Sequence, residues 1–414
     1  MSIRDSIQDE QIAAYEAAIE ELASSTPAGS DAKVAKRLRH QFGSDAFYEL
    51  IAIARLQRKA RQKLGEGIWW ATDRALQQAT AWQVAKLKSS WFGNHLVYDL
   101  CCGIGGDALE LARRRAPHGG VVAVDMDPVI QPYTAANLRK AMPEDPGTAT
   151  MIETACEDVL NIEIPAEAAI HIDPDRRADG KRTTRPDDYQ PSLPQILPRI
   201  EAAPAAIIKL APAAKIDLGA STHRAWISLS GSVREQSLVF GDALQRAELH
   251  SGSVSAFAVR SDGSYSRFDA GDTPAGELDS VRVASAKTPG RWIIDPDAAV
   301  RAAGLTEFFA RTYGLKTLGG PTGFLTHEGD IDDASLEKIQ AIASVGKVIW
   351  SGSCDERKLR RELRQRNHYA DRIKVRGSGH DPAVLRKRLR PCGETPIGLW
   401  IGRAEKGVFA AMTH

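Results

Sequence analysis

An apolar strand that ends beside an acid and runs at once into glycines and a helix leaves few folds open. Val97-Tyr-Asp99-Leu-Cys101-Cys-Gly103-Ile-Gly105-Gly-Asp107 has this form, and helical periodicity follows over 108–115. Glycine lets the backbone turn sharply and lets a ligand come close, while the first turn of a helix offers unpaired N–H groups to an anion. The run predicts a nucleotide-like cofactor at the end of a strand in an α/β sheet.

The rest of the chain supplies the sheet. Short apolar runs at 96–100, 121–125, 149–152, 168–172 and 205–210 alternate with helical stretches, the pattern of parallel strands covered on both faces. After residue 220 the order becomes strand–strand. Trp226–Ser230 and Glu235–Phe240 flank Gly231, and Ser253–Arg260 leads into the turn Ser261-Asp-Gly-Ser, so the parallel sheet is expected to end in an antiparallel hairpin. Residues 6–90 carry helical spacing only. Residues 271–290 are rich in Gly, Pro, Asp and Ser and read as a linker, and short helices and strands follow it. The expected division is a helical region 1–90, an α/β domain 91–285 and a small α+β domain 286–414.

Composition excludes several classes. The 414 residues carry a net charge of +1, so any nucleic-acid surface must be a local patch. The five cysteines form no Cys-x-x-Cys pair and suit a reducing compartment. The histidines lack metal-ligand spacing, and no apolar run reaches the ~20 residues that span a bilayer. The expectation is a soluble cytoplasmic protein with no metal and no membrane partner.

Gly103-x-Gly105-x-x-Ala108 also fits the dinucleotide fingerprint, which keeps a nicotinamide-dependent oxidoreductase open. Three acids bear on the choice. Asp99, four residues before Gly103, could accept hydrogen bonds from an amino-acid ammonium. Asp125 closes the second strand, about 20 residues on, where an acid meets ribose hydroxyls in either cofactor. Asp158 follows the third strand, where an acid can meet an adenine edge. A cofactor with an ammonium, a ribose and an adenine would use all three, as S-adenosylmethionine does.

With these residues in place, Asp99-x-x-x-Gly103-x-Gly105 with Asp125 and Asp158 resembles the class I S-adenosylmethionine-dependent methyltransferases over about residues 96–260. The resemblance implies a Rossmann-like sheet of seven strands. It sets Gly103 and Gly105, with Cys101 of the same loop, against the methionine part of the cofactor. Asp125 would then hold the ribose, Met126 would pack on adenine, and Asp158 would meet its amino group. Lys59–Lys63, Thr72 and the run Leu76–Ala85 resemble a segment that precedes this domain in bacterial methyltransferases with a THUMP-like domain, and trimethylguanosine synthases have a looser counterpart. On that resemblance Gln78 and Thr80 reach the cofactor's carboxylate end; a helix cap at Thr80 is the equal alternative. Trp292–Ala302 and Ile373–Arg390 resemble the THUMP-like domain itself, which implies RNA as a partner.

The fourth strand ends in His171-Ile-Asp173-Pro174-Asp175-Arg176-Arg177. Ligands of open α/β sheets bind at strand carboxyl ends, so Asp173 is expected to face the transferred methyl group and orient the acceptor. Amine-methylating relatives carry Asp/Asn-Pro-Pro and an aromatic here. Asp173 and Pro174 match, whereas Asp175 and Arg176 depart. Arg176, Arg177, Lys181, Arg182 and Arg185 form a basic stretch, read either as phosphate contacts or as a solvated loop paired to Asp175, Asp179 and Asp187. Lys209, at the end of the next strand, either approaches the site or faces solvent, and His171 reads as a core histidine. The combined expectation is a methyltransferase of structured RNA, tRNA or rRNA. The alternatives are a small-molecule or protein methyltransferase, or the oxidoreductase.

Overall fold

The structure is a computed structural model that describes residues 9–25, 27–114, 119–142, 151–178, 181–216, 219–389, 392–405 and 407–414; the side chains of 9, 10, 178, 181, 182 and 220 are outside the description. The chain divides into two compact units, residues 1–223, 235–251 and 260–264 in the first and 224–234, 252–259 and 265–414 in the second.

Three helices open the first unit: α1 (Asp9–Ala23), α2 (Ala32–Phe42) and α3 (Ser44–Leu64). Asp31 caps α2, its carboxylate accepting from Lys33 N and Val34 N at 2.9 and 3.1 Å. Two side-chain amides then hold the chain that leaves α3. Gln57 receives Trp69 N at 2.9 Å and donates to Trp69 O at 2.8 Å. Asn137 receives Trp70 N at 2.9 Å and donates to Trp70 O and Ile104 O at 2.9 and 3.0 Å. These bonds satisfy buried backbone groups that lack a strand partner, and they fix the next elements, α4 (Asp73–Gln78) and α5 (Trp82–Ser89), beside the glycine loop.

The main sheet contains β1 (Leu96–Leu100), β2 (Gly120–Asp125), β3 (Met151–Cys156), β4 (Ala169–Ile172), β5 (Ala205–Leu210), β6 (His223–Leu229), β7 (Ser232–Gly241), β8 (Val254–Val259) and β9 (Tyr265–Asp269). Their order is β9-β8-β6-β7-β5-β4-β1-β2-β3, nine strands against the expected seven. The two additional strands are the last apolar run and its hairpin partner. β8 lies parallel to β6 and β9 antiparallel to β8, so the sheet continues past the point where the hairpin was expected to close it. β1 to β5 are mutually parallel, β7 is antiparallel to β5, and β2, β4 and β5 are buried almost end to end, as strands covered on both faces require. α6 (Gly106–Arg113) follows β1, and α7 (Gln131–Leu138) follows β2.

The second unit holds a seven-stranded sheet made of β10 (Trp292–Pro296), β11 (Lys316–Leu318), β12 (Phe324–His327), β13 (Ala343–Ser353), β14 (His368–Val375), β15 (Thr395–Ala404) and β16 (Gly407–Thr413). Its order is β11-β12-β10-β13-β16-β15-β14. No helix among the described residues is long and apolar enough to cross a membrane.

Candidate functional site

The glycine loop sits where β1 meets α6. Gly105 adopts φ +82°, a left-handed conformation that costs other residues energy, and it ends the loop as the helix N-cap. A Cβ on Gly106 would lie 3.0 Å from Thr80 O, tighter than an ordinary contact, so glycine lets the strap between α4 and α5 rest on the start of α6 without a shift. That strap, the glycine loop and the ends of β2 and β4 enclose a cavity of about 630 Å³.

The cavity gathers nearly all of the residues singled out from sequence. Gln78, Thr80, Asp99, Cys101, Gly103, Asp125, Met126 and Asp158 line it, and so do Asp173, Pro174, Arg176 and Arg177. Gly105 and Lys209 are not among the lining residues, but each adjoins one: Gly105 is followed by Gly106, and Lys209 Nζ bonds Asp173. Two of the expected basic residues, Lys181 and Arg182, have side chains outside the described residues.

The individual contacts sharpen the picture. Asp99 is buried, and its Oδ1 accepts from His171 Nδ1 at 2.7 Å, while Oδ2 is equally buried and has no partner among the described residues. Asp125 braces the loop it faces: Oδ2 accepts from Gly103 N at 2.8 Å and Oδ1 from Asp127 N at 3.0 Å. A carboxylate has about four lone-pair sites, so acceptor capacity remains. Met126 is 70% exposed. Asp158 is exposed, and its Oδ1 receives Leu160 N at 2.9 Å. Burial, with the surrounding carboxylates Asp125, Asp173 and Asp99, pushes the Cys101 thiol far up, so it carries no nucleophile chemistry at neutral pH.

Thr80 does not cap α5; the N-cap is Ala81, without a side-chain bond. Instead the Thr80 hydroxyl accepts from Lys209 Nζ at 2.8 Å and donates to Asp107 Oδ2. Lys209, buried rather than facing solvent, also donates to Asp173 Oδ2. Asp107 Oδ1 lies 2.9 Å from Lys88 Nζ, and Lys88 pairs with Glu235 at 2.9 Å and reaches His171 Nε2 at 3.2 Å. One continuous polar chain thus links Asp173 to Asp99 through buried side chains. His171, read as a core histidine, is one of its links.

Lys88, Asp107 and Glu235 escaped the sequence reading. Lys88 left a signal: it stands four residues after Val84 and three before Trp91, on the apolar stripe of its helix. Glu235 left none, because β7 is buried on both faces and an acid there breaks no alternation.

The loop after β4 departs from the expected pairing. Asp175 is bound by Arg74 Nη2 at 3.2 Å and Gln78 Nε2 at 3.3 Å from across the cavity mouth, and Arg185 lies 4.0 Å from Asp188. Arg177 Nη1 is buried and has no hydrogen-bond partner among the described residues.

Comparison with known proteins agrees with this geometry. No protein-family profile matches the chain. A protein named as an uncharacterized S-adenosylmethionine-dependent methyltransferase, from two strains of Mycobacterium tuberculosis, is 32% identical over 389 residues, covering 91% of this chain and 98% of its own length. A crystal structure from Porphyromonas gingivalis W83, provisionally described as a methyltransferase, superposes with a TM-score of 0.72 over 98% of both chains at 15% identity, which shows the shared fold.

Proposed function

The chain belongs to the S-adenosylmethionine-dependent methyltransferases, and from that premise we propose that it is a class I member that transfers a methyl group to structured RNA. The observation that carries the cofactor's placement is Asp99 Oδ2, a buried acceptor with no partner on the cavity lining. A buried polar atom costs free energy until a donor reaches it, and an ammonium supplies one. Of four buried or half-buried carboxylates, Asp107 and Glu235 share the Lys88 ammonium, Asp173 takes that of Lys209, and Asp99 pairs only with His171 among the described residues. This acid excess suits a cofactor bearing a sulfonium and an ammonium, and it opposes the pyrophosphate of a dinucleotide, against the oxidoreductase reading.

In this reading Gly103, Gly105, Cys101, Gln78 and Thr80 surround the amino-acid part, Asp125 takes the ribose hydroxyls, Met126 covers one adenine face and Asp158 meets the adenine amino group. When bound, the cofactor supplies a methyl group already activated by its sulfonium. The chain's own residues then align the acceptor. Lys209 ties Asp173 Oδ2, which leaves Oδ1 toward the cavity to receive a hydrogen bond from the acceptor and its proton as the bond forms. Pro174 stiffens the step that follows.

Support for RNA is local charge. Arg176 and Arg177 line the cavity beside Asp173, and the unpartnered Nη1 of Arg177 suits a phosphate. In region 286–414, which we take as the THUMP-like portion, the helices Glu356–Gln365 and Pro382–Leu389 add Arg357, Lys358, Arg364 and Lys387, none in an ion pair among the described residues. The second reading, a small-molecule or protein acceptor, is favoured by Arg176 standing where base-amine methyltransferases carry an aromatic.

Calorimetry with S-adenosylhomocysteine and with NAD tests the cofactor: binding of the first alone is expected, and binding of NAD alone overturns it. Titration of bulk tRNA and rRNA at several salt concentrations tests the acceptor. Affinity that falls steeply with salt is expected, and negligible, salt-independent affinity favours the second reading. Mass spectrometry of RNA nucleosides from a deletion strain then identifies the modified position by its absence.

A further inference from the structure

His171 occupies an unusual position: both of its ring nitrogens are engaged inside the protein. Nδ1 lies 2.7 Å from Asp99 Oδ1, and Nε2 lies 3.2 Å from Lys88 Nζ. An ammonium has donors only, and a neutral imidazole has one donor and one acceptor. The charge state of Lys88 therefore decides the tautomer of His171.

Lys88 is fully buried, and burial alone would lower its pKa. Asp107 and Glu235, each 2.9 Å away, outweigh that and hold it above its ordinary range. Lys88 thus stays protonated and must donate to Nε2. The other nearby acceptor is Asp107 Oδ1, 3.8 Å from Nε2, beyond hydrogen-bond distance and so unable to take an Nε2 proton. With Nε2 bare, the ring proton sits on Nδ1 and is donated to Asp99 Oδ1. Oδ1 is thereby committed as an acceptor, and Oδ2 is the oxygen that faces a ligand.

We propose that Lys88 is a positioning residue for the amino-acid end of the cofactor: it fixes His171 as the Nδ1-protonated neutral tautomer, which in turn locks Asp99 with Oδ2 presented to an ammonium donor. The inference rests on the cofactor reading of the cavity given above. Lys88 itself does not line the cavity; it acts through His171. Without its ammonium the ring is free to carry its proton on Nε2. Nδ1 would then confront Asp99 Oδ1 as one acceptor against another, and the carboxylate would lose its fixed orientation.

Two measurements test this. The first uses the unsubstituted full-length chain. Selective 15N-histidine labelling with two-bond hydrogen–nitrogen correlation reads the tautomer of each of the ten histidines, and His171→Gln assigns the relevant signals. A proton on Nδ1 and a bare Nε2 are expected; a proton on Nε2 overturns the proposal. The second compares Lys88→Met with the parent chain for two nucleosides. S-adenosylhomocysteine carries the ammonium, and 5′-methylthioadenosine lacks the whole amino-acid part. The affinity of the first is expected to fall at least about tenfold while that of the second changes by less than about twofold. Equal losses for both, or no loss for either, overturn the proposal. If Lys88→Met does not fold, the tautomer measurement decides alone. If the parent chain binds neither nucleoside, the cofactor reading fails; if it binds both but shows the Nε2 tautomer, only the role of Lys88 falls.

Discussion

In the first unit Asp107, Glu235 and Asp173 share the two ammonium groups of Lys88 and Lys209, and Asp99 is left to His171; in the second, Asp295 alone holds Arg301 at 2.7 Å, Lys374 at 3.0 Å and Arg376 at 3.2 Å. Both clusters bury charge, and both are unbalanced, in opposite senses. The difference lies in where the surplus goes. Around Asp295 the extra positive charge reaches water, since the side chains of Lys374 and Arg376 are 32% and 36% exposed. That cluster is closed: it joins β10 to β14 and the residue after it, and requires nothing further. In the first unit Asp99 and Glu235 are each 1% exposed, so water cannot compensate the surplus negative charge. Asp99 faces the cavity instead. One cluster is a clamp balanced by solvent, and the other, on the proposed reading, is a site that a cationic ligand completes.

Removing the central carboxylate should therefore act with opposite signs. Asp295→Asn leaves three cations around a neutral amide and is expected to cost about 3 kcal/mol, read from the denaturant midpoint, because breaking a buried ion cluster strands its partners. An unchanged midpoint would remove the distinction between the units. Asp99→Asn should do the reverse to the unliganded protein. Burial raises the Asp99 carboxyl above its ordinary range, so its ionised form costs stability once the pH exceeds about 4. The amide removes that cost and still accepts from His171. A melting temperature that holds or rises without ligand is expected, together with loss of the stabilisation conferred by S-adenosylhomocysteine.

The same contrast explains what could be read from sequence. The parallel strands, the glycine loop and Asp99, Asp125 and Asp173 were legible because backbone geometry and strand-end position confine them to recognisable spacings. The cluster that organises the site was not. Lys88, Asp107 and Glu235 come from two helices and an antiparallel strand, and nothing local to each reports the others. Lys209 illustrates the limit: its place at a strand end was clear, but its contact with Thr80, 129 residues away in sequence, depends on the strap that Gln57 and Asn137 hold down. The sheet exceeded seven strands for a related reason, since an apolar run with a good hairpin turn looks the same whether it closes a sheet or extends it.

The pH response should separate the two sides of the first cluster. Burial would raise Asp107, but the charges of Lys88 and Lys209 and the hydrogen bond from Thr80 outweigh it and hold the carboxyl below its ordinary range. Its contribution is present above about pH 4 and is lost as the pH falls through the folded value. Lys88 is shifted upward, so its contribution is complete below about pH 10 and is lost as the pH rises through its folded value. Between these limits the pair holds constant. Thermal melts should show the parent chain losing more stability than Lys88→Met above about pH 10, where the unfolded chain releases the Lys88 proton that the folded pairing with Asp107 and Glu235 still holds. Parallel pH curves would mean that Lys88 gives nothing to stability through its charge.

The smallest effect expected is at Arg376. Its guanidinium is partly exposed, and Asp295 retains Arg301 and Lys374 when it is removed, so Arg376→Gln should shift stability by less than about 1 kcal/mol. The weight of this prediction lies in its contrast with Lys88→Met. Each substitution removes one cation from a buried cluster. In the second unit the cluster has cations to spare, and the carboxylate stays paired. In the first, the loss leaves Asp107 and Glu235 facing each other without water, a cost of about 3–5 kcal/mol for an uncompensated buried pair. Comparable denaturant midpoints for the two variants would mean that charge balance does not distinguish the clusters. A wide gap would show that the first unit tolerates its acid excess only because Lys88 is there.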